Sequence, residues 1–223
     1  MLNISVIVNT LAIIAGSILG ILFGKIIKEK YKKLVFIAIG LLTIGLGIDL
    51  FLDATEILIV LFSMIVGGII GETIDIEKQL GKLTAKKGDA NFVKGFVTSL
   101  VLFVVGPMTI IGSIQAGVAN NNDLIFIKSL MDGISSIVFA STFGVGVVFS
   151  ALGVYLIQGL LVTFASQLYF LQTEIYIGNL SAIGGLMMIA LGLRLLEIKE
   201  IKVGNFLPAL IIGPFLSFIF SLF

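Results

Sequence analysis

Long apolar runs recur along the whole chain, from residue 3 to residue 222. A transmembrane helix needs roughly 20 predominantly apolar residues to cross a hydrocarbon core about 30 Å thick. Many of the runs reach that length, and they do not alternate apolar with polar residues as the strands of a membrane β-barrel would. The pattern therefore predicts an all-α polytopic transmembrane helical bundle of seven or eight spans. In the eight-span version the spans lie at 3–24, 34–52, 56–74, 95–119, 129–148, 150–170, 179–197 and 204–222.

The segment 129–170 is almost uncharged and can be divided in two ways. A tight hairpin near Gly146–Gly153 gives two spans and leaves both termini outside the cytoplasm. One long tilted span would instead move the C-terminus inside. The sequence leaves both divisions open.

Lysines cluster in two loops, and loops rich in lysine stay in the cytoplasm. The two loops are separated by two spans, so a cytoplasmic position for both is self-consistent. The acidic residues Asp53, Asp123 and Glu174 then lie outside, while Glu72 and Arg194 lie at cytoplasmic ends, where we expect them to be solvated. The loop lysines are Lys25, Lys28, Lys30, Lys32 and Lys33, then Lys78, Lys82, Lys86, Lys87 and Lys94.

Two short stretches recur about one hundred residues apart. Ile13–Ile18 is similar to Ile110–Ile114, which pairs Ser17 with Ser113, and Thr43–Ile48 is similar to Thr142–Val147. Three spans separate the copies, so the copies have opposite orientations, as in the inverted repeats of many secondary transporters. This interpretation divides a single integral-membrane domain, 1–223, into halves 3–74 and 95–170 and a C-terminal helical hairpin, 179–222. Glycine-rich spans can also look alike by chance.

Small residues form stripes on the first and third spans. Ala12, Gly16, Gly20 and Gly24 recur every fourth residue, and Gly67–Gly71 has the same spacing. Small residues let helix backbones approach closely in lipid. We interpret the stripes as internal packing surfaces; the alternative is contact with a second copy, which leaves a homo-oligomer open.

The fourth span contains a proline among polar residues. Pro107 lacks a backbone donor and clashes with the preceding turn, which predicts a kink or break. Broken helices persist in lipid only where protein or water satisfies the freed backbone groups. Asp132, near the start of the fifth span, either belongs to a site here or pairs with Lys128 one turn earlier. The predicted substrate-binding residues are Asn9, Ser17, Pro107, Thr109, Ser113, Gln115, Asp132 and Gln158.

Composition narrows the function. Of 223 residues, 58% are hydrophobic and 12% charged, and the chain has no cysteine or histidine. Disulfides, thiol chemistry and the commonest soft-metal ligands are thereby excluded. The sequence shows no nucleophile–base motif and no Walker-type glycine loop, so we expect no catalytic residue, no metal site and no cofactor. A net charge of +1 argues against nucleic acid as a partner. The lipid bilayer and an unknown small solute or ion remain as partners.

Six motifs occur at Val8–Gly24, Gly67–Glu72, Gly106–Gly117, Lys128–Gly133, Phe149–Leu152 and Val203–Leu210. Together they resemble the YqgA-like bacterial membrane proteins of the domain-of-unknown-function 554 family. The resemblance implies a multi-pass protein of the bacterial plasma (inner) membrane with a transport role, and it supplies no substrate. Family members usually carry an acidic residue where this chain has Ala116, which weakens a cation site there.

The sequence thus favours a secondary transporter or channel with a site around the broken fourth span. The alternative is a non-transporting scaffold or accessory subunit that docks neighbours through its glycine-rich faces. A membrane-embedded enzyme is disfavoured.

Overall fold

The protein is described here by a computed structural model that covers residues 3–24, 26, 28–82 and 90–220. Those residues form helices and connecting turns and contain no strand, which confirms the predicted fold class. The lysines Lys25, Lys86 and Lys87 of the predicted loops lie outside the described residues. The helices are α1 Ile4–Gly24, α2 Glu29–Leu52, α3 Ile57–Ile74, α4 Ile76–Lys82, α5 Ala90–Val104, α6 Pro107–Val118, α7 Asp123–Phe143, α8 Val145–Thr163, α9 Glu174–Leu195 and α10 Ala209–Phe220, with 3₁₀ turns at Tyr169–Gln172 and Val203–Phe206.

Six helices of the described chain are long and apolar enough to cross a membrane, and a bent pair passes the same test when its two helices are taken together as one span. The bent pair is α5 and α6, whose axes differ by 61°. A shorter apolar helix, Ile37–Leu52, lies within α2 at the predicted second span. Each of the eight predicted segments therefore has a helical counterpart. The six are Ile4–Gly24, Ile57–Gln79, Asp123–Phe143, Val145–Thr163, Glu174–Leu195 and Val203–Phe220.

The ambiguous segment 129–170 forms two helices joined by one residue. α7 ends at Phe143, and Gly144 has φ 71°, in the left-handed region that glycine tolerates best. Asp132, before this turn, and Gln158, after it, both bind Asn9, so α7 and α8 fold back on each other. The hairpin prediction is correct, but the turn lies just before the predicted Gly146–Gly153. Several glycines are close together here, and only the backbone conformation shows which one makes the turn.

The chain divides into two compact units that interleave along the sequence. Unit 1 comprises Met1–Lys33 and Asp89–Phe170, and unit 2 comprises Leu34–Gly88 and Leu171–Phe223. Unit 1 thus contains α1 and α5 to α8, and unit 2 contains most of α2 with α3, α4, α9 and α10. The repeat halves 3–74 and 95–170 and the hairpin 179–222 stay a prediction.

In unit 1, the glycine stripe of α1 packs against α7. Gly16, Gly20 and Gly24 face Gly133, Ile137 and Ser141 in that order, so the two helices run in the same direction. A Cβ added at any of the three glycines would overlap a backbone carbonyl oxygen of α7. The packing interpretation of this stripe is therefore confirmed.

In unit 2, small residues also mediate the closest helix contacts. Gly67 and Gly71 of α3 face Ala209 and Asn205, so α3 and α10 are antiparallel. α2 and α9 also meet through two glycine pairs. The pairs are Gly40 with Gly192, and Gly47 with Gly185.

Candidate functional site

Four polar side chains from three helices of unit 1 form a buried polar network: Asn9 of α1, Lys128 and Asp132 of α7, and Gln158 of α8. Asn9 Nδ2 donates to Asp132 Oδ2 at 3.2 Å and to Gln158 Oε1 at 3.1 Å. Asn9 and Gln158 are fully buried, and Asp132 is 5% exposed. The network thus joins residues far apart in the sequence, inside helices long and apolar enough to span the bilayer.

Lys128 neutralises the carboxylate of this network. Its Nζ donates to both Asp132 Oδ1 and Oδ2 at 2.8 Å, one helical turn apart on α7. The pairing predicted from the four-residue spacing is confirmed. The predicted site omitted Lys128, although the same spacing signals that it accompanies Asp132.

The break between α5 and α6 has a defined geometry. Pro107 is the first residue of α6, where its missing N–H costs nothing, and Gly106 before it is extended. Thr109 Oγ1 donates to the Phe103 carbonyl oxygen of α5 at 2.9 Å. The predicted break is confirmed, and a side chain of one half satisfies the backbone of the other.

The break lies at the same depth as the buried polar network. Gly117 of α6 contacts Val162 of α8, and these residues lie four positions after Ser113 and Gln158 respectively. α6 and α7 are antiparallel, and a Cβ on Gly112 would lie 3.2 Å from Ile125 Cγ1. That register places Thr109 near Lys128, whose Nζ is 5.9 Å from the centre of the Phe103 ring.

Unit 1 also contains buried polar atoms that the protein itself does not satisfy. Among the described residues, Asn9 Oδ1, Gln158 Nε2 and Ser113 Oγ have no hydrogen-bond partner, and all three side chains are fully buried. Helical serines usually bond to the carbonyl of the preceding turn, as Ser129 and Ser136 do. Ser17 Oγ, Thr98 Oγ1 and Ser99 Oγ are also buried and have no hydrogen-bond partner.

The predicted site residues separate into two groups. Asn9, Asp132 and Gln158 are joined by hydrogen bonds, whereas Pro107 and Thr109 form the break and Ser113 lies nearly two turns further along α6. Ser17 and Gln115 lie apart from the network. Ser17 is eight residues along α1, about 12 Å from Asn9 at 1.5 Å per residue. Gln115 is half-buried on the opposite side of α6 from Ser113, since two residues turn a helix by about 200°.

A groove lies next to the network at the start of α1 and the end of α8. Its volume is about 220 Å³. Val6 is one turn before Asn9, and Val162 is one turn after Gln158. The lining residues are Asn3, Val6, Tyr155, Leu156, Gly159, Leu160, Val162 and Thr163.

Buried polar groups in unit 2 are better satisfied. Asn179 Oδ1 accepts from Thr55 Oγ1 and the Glu56 N–H, both at 2.9 Å, and its Nδ2 donates to Ser217 Oγ at 3.1 Å. Both polar atoms of this amide have partners, so we assign it a structural role.

A charged cluster lies at the other end of unit 2. Arg194 is 9% exposed and forms an ion pair with Glu77 of α4, so the expectation that Arg194 is solvated is wrong. Glu72 is exposed as expected and accepts from Lys202 Nζ at 3.0 Å. That hydrogen bond raises the pKa of the Lys202 ammonium above its usual value.

The fold and the buried groups define a class: a multi-pass helical membrane protein with a polar network beside a broken span. Within that class, the chain matches the family described as "Protein of unknown function (DUF554)" over residues 4–218, and it belongs to that family. The resemblance found in the sequence is thereby confirmed.

Two relatives match over almost their whole length. The chain is 34% identical over 219 residues to "Uncharacterized membrane protein YdfK" of Bacillus subtilis (strain 168), covering 96% of each chain. It is 28% identical over 221 residues to "Uncharacterized protein YqgA" of Escherichia coli (strain K12), covering 94% of each. No solved structure matches the chain.

Proposed function

We propose that the chain is a secondary transporter or channel of the bacterial plasma membrane, and that unit 1 moves a small solute or ion past the broken fourth span. The observation that carries this proposal is the buried polar network with its unsatisfied atoms, Asn9 Oδ1 and Gln158 Nε2. Polar groups inside a bilayer are costly, and they commonly mark substrate and ion pathways. In this proposal the chain performs no covalent chemistry.

The broken span supports the same proposal. Non-helical backbone at membrane depth is tolerated where it is covered by protein or lines a water-filled cavity. Transporter sites are often formed where a helix is interrupted. Here the interruption at Gly106 lies level with the network, so the two features converge on one place.

The scaffold alternative depends on free glycine-rich faces. In the described structure the stripe of α1 packs against α7, and Gly67 and Gly71 pack against α10 and the turn before it. These glycine-rich faces are covered by helices of the same chain, so they are not free to dock a partner. A homo-oligomer would carry one path in each subunit.

Cysteine labelling tests the proposal, because the chain has no cysteine of its own. The single-cysteine variants Ser113→Cys and Gln115→Cys would be treated in intact cells with a membrane-impermeant maleimide. The control is Met187→Cys, at a fully buried position of α9. We expect labelling at Ser113 and none at Met187, because water must reach the side of α6 that faces the network during transport. Labelling at Gln115 alone would show only that water reaches the opposite side of α6. Protection of both sites in a folded protein would contradict a water-accessible path.

A further inference from the structure

The charge balance of the buried polar network restricts what it can bind. Lys128 and Asp132 are one cation and one anion joined by two hydrogen bonds, so the network carries no net charge. The other charged side chains described in the helices of unit 1 that surround the network, α5 to α8 and α1, are Lys94 and Asp123, both near helix starts. Among the described residues of these five helices, no further charge is therefore available next to the network to compensate for a bound ion.

A charged solute would disturb that balance. A bound cation would leave the site with one excess positive charge, and a bound anion with one excess negative charge. An uncompensated charge costs several kcal/mol in a low-dielectric interior. A solute without net charge avoids this cost and leaves the pair of Lys128 and Asp132 intact.

The unsatisfied polar atoms also favour a solute without net charge. Asn9 Oδ1 can only accept a hydrogen bond, Gln158 Nε2 can only donate, and Ser113 Oγ can do both. Hard cations prefer several oxygen ligands, and this set instead matches a solute that carries both a donor and an acceptor. Asp132 already holds Asn9 through Nδ2, which leaves Oδ1 for the solute.

A half-open groove, lined by residues one helical turn from Asn9 and Gln158 and not by the network itself, offers space for a small solute. Its volume of about 220 Å³ corresponds to about seven water molecules at about 30 Å³ each. Drug-sized ligands occupy pockets of about 300 Å³ or more. A solute of a few heavy atoms fits this space.

We infer that the substrate of unit 1 is a small, polar solute without net charge, bound by Asn9, Ser113 and Gln158, with the Lys128–Asp132 pair as a neutral support that positions Asn9. This inference rests on the proposed transport function. Small polyols, urea-like amides and amino-acid zwitterions belong to this class, whereas alkali cations and halides do not.

Reconstituted proteoliposomes test the inference. The probes are radiolabelled glycerol, urea and glycine, together with Na⁺, K⁺ and Cl⁻ followed by trapped indicator dyes. We expect uptake of at least one neutral probe above that of protein-free vesicles. Uptake should fall about tenfold in Ser113→Ala and in Gln158→Met, as for the loss of one hydrogen bond of about 1.4 kcal/mol.

The control variant is Thr43→Val in α2. Thr43 is buried, but its hydroxyl donates to Ile39 of its own helix and lies in unit 2, so neutral uptake should be unchanged. Size-exclusion chromatography and thermal melting would show that each variant is folded. Flux of ions without flux of neutral probes would overturn the inference and keep transport. Absence of any flux from the folded protein would overturn both.

Discussion

At the scale of single residues, the cost of polar groups in lipid explains why the buried polar network is compact. Lys128, Asp132 and Asn9 each bind another member of the network, so no charge is left alone in the apolar interior. A buried ion pair contributes little net stability, but removal of one partner leaves an uncompensated charge. The pair should therefore tolerate joint replacement better than single replacement.

Lys128→Met tests this expectation. The variant should lower the free energy of unfolding by about 3–5 kcal/mol, because Asp132 is left buried without its partner. Lys128→Met combined with Asp132→Leu should recover part of the loss. The measurement is equilibrium unfolding in mixed detergent micelles.

Lys202→Met provides the matched control. Its ion pairs with Glu72 and Asp75 are exposed to solvent, which screens them, so the loss of stability should be much smaller than for Lys128→Met. Equal losses of the free energy of unfolding for Lys128→Met and Lys202→Met would show that burial does not make the Lys128–Asp132 pair more costly to break.

The sequence identifies the members of the network but not their connections. Asn9, Asp132 and Gln158 are conspicuous because they interrupt apolar runs. Their bonds span 123 and 149 residues, and no local pattern can specify which distant helices meet. Ser113 and Gln115 lie on opposite faces of α6. Which of these faces is buried depends on the helices that surround α6, and the local sequence does not specify those helices.

At the scale of helices and their contacts, glycine has two different roles. Gly20 lies where an added Cβ would overlap the Ile137 carbonyl oxygen, whereas a Cβ added at Gly45 of α2 would have no described atom within 4 Å outside its own stretch of helix backbone. Spacing alone cannot separate these cases, because both are glycines in apolar helices.

Alanine substitutions should separate them. Gly20→Ala should destabilise the protein by about 1–3 kcal/mol, because α1 and α7 must move apart. Gly45→Ala should be neutral or stabilising by up to about 1 kcal/mol, since alanine favours helix more than glycine does. Melting temperatures of the two purified variants provide the comparison, and equal shifts would contradict the close contact at Gly20.

The broken span makes a second prediction at this scale. Thr109→Val keeps the shape of the side chain but leaves the Phe103 carbonyl without its donor, at a cost of about 1–3 kcal/mol. Thr109→Ser should restore most of the stability. Thr43→Val is the control, because its hydroxyl bonds within one continuous helix. A similar loss in both valine variants would show that the bond across the break has no special role.

At the scale of the whole molecule, the lysine-rich loops predict which ends of the helices face the cytoplasm. Apolar runs and lysines suffice for this prediction and for the helix positions. The interleaving of the two units could not be predicted, because it depends on contacts between α1 and helices that follow more than one hundred residues later.

Accessibility in cells tests this topology. A cysteine at Asn121, exposed before α7, should react with an impermeant maleimide in intact cells. A cysteine at Lys199, exposed after α9, should react only after the cells are permeabilised, because that loop is predicted to be cytoplasmic. The reverse labelling pattern would show that the protein has the opposite orientation in the membrane.

The hydrogen bond between Asn9 and Asp132 can form only after α7 has been synthesised. Asn9 leaves the ribosome 123 residues before its partner, which is roughly 6 to 25 seconds at about 5–20 residues per second. Throughout that interval the first span holds an amide that no finished helix of unit 1 can yet satisfy. A ribosome stalled before α7 would therefore leave a chain whose Asn9 has neither of the partners that it has in the folded protein.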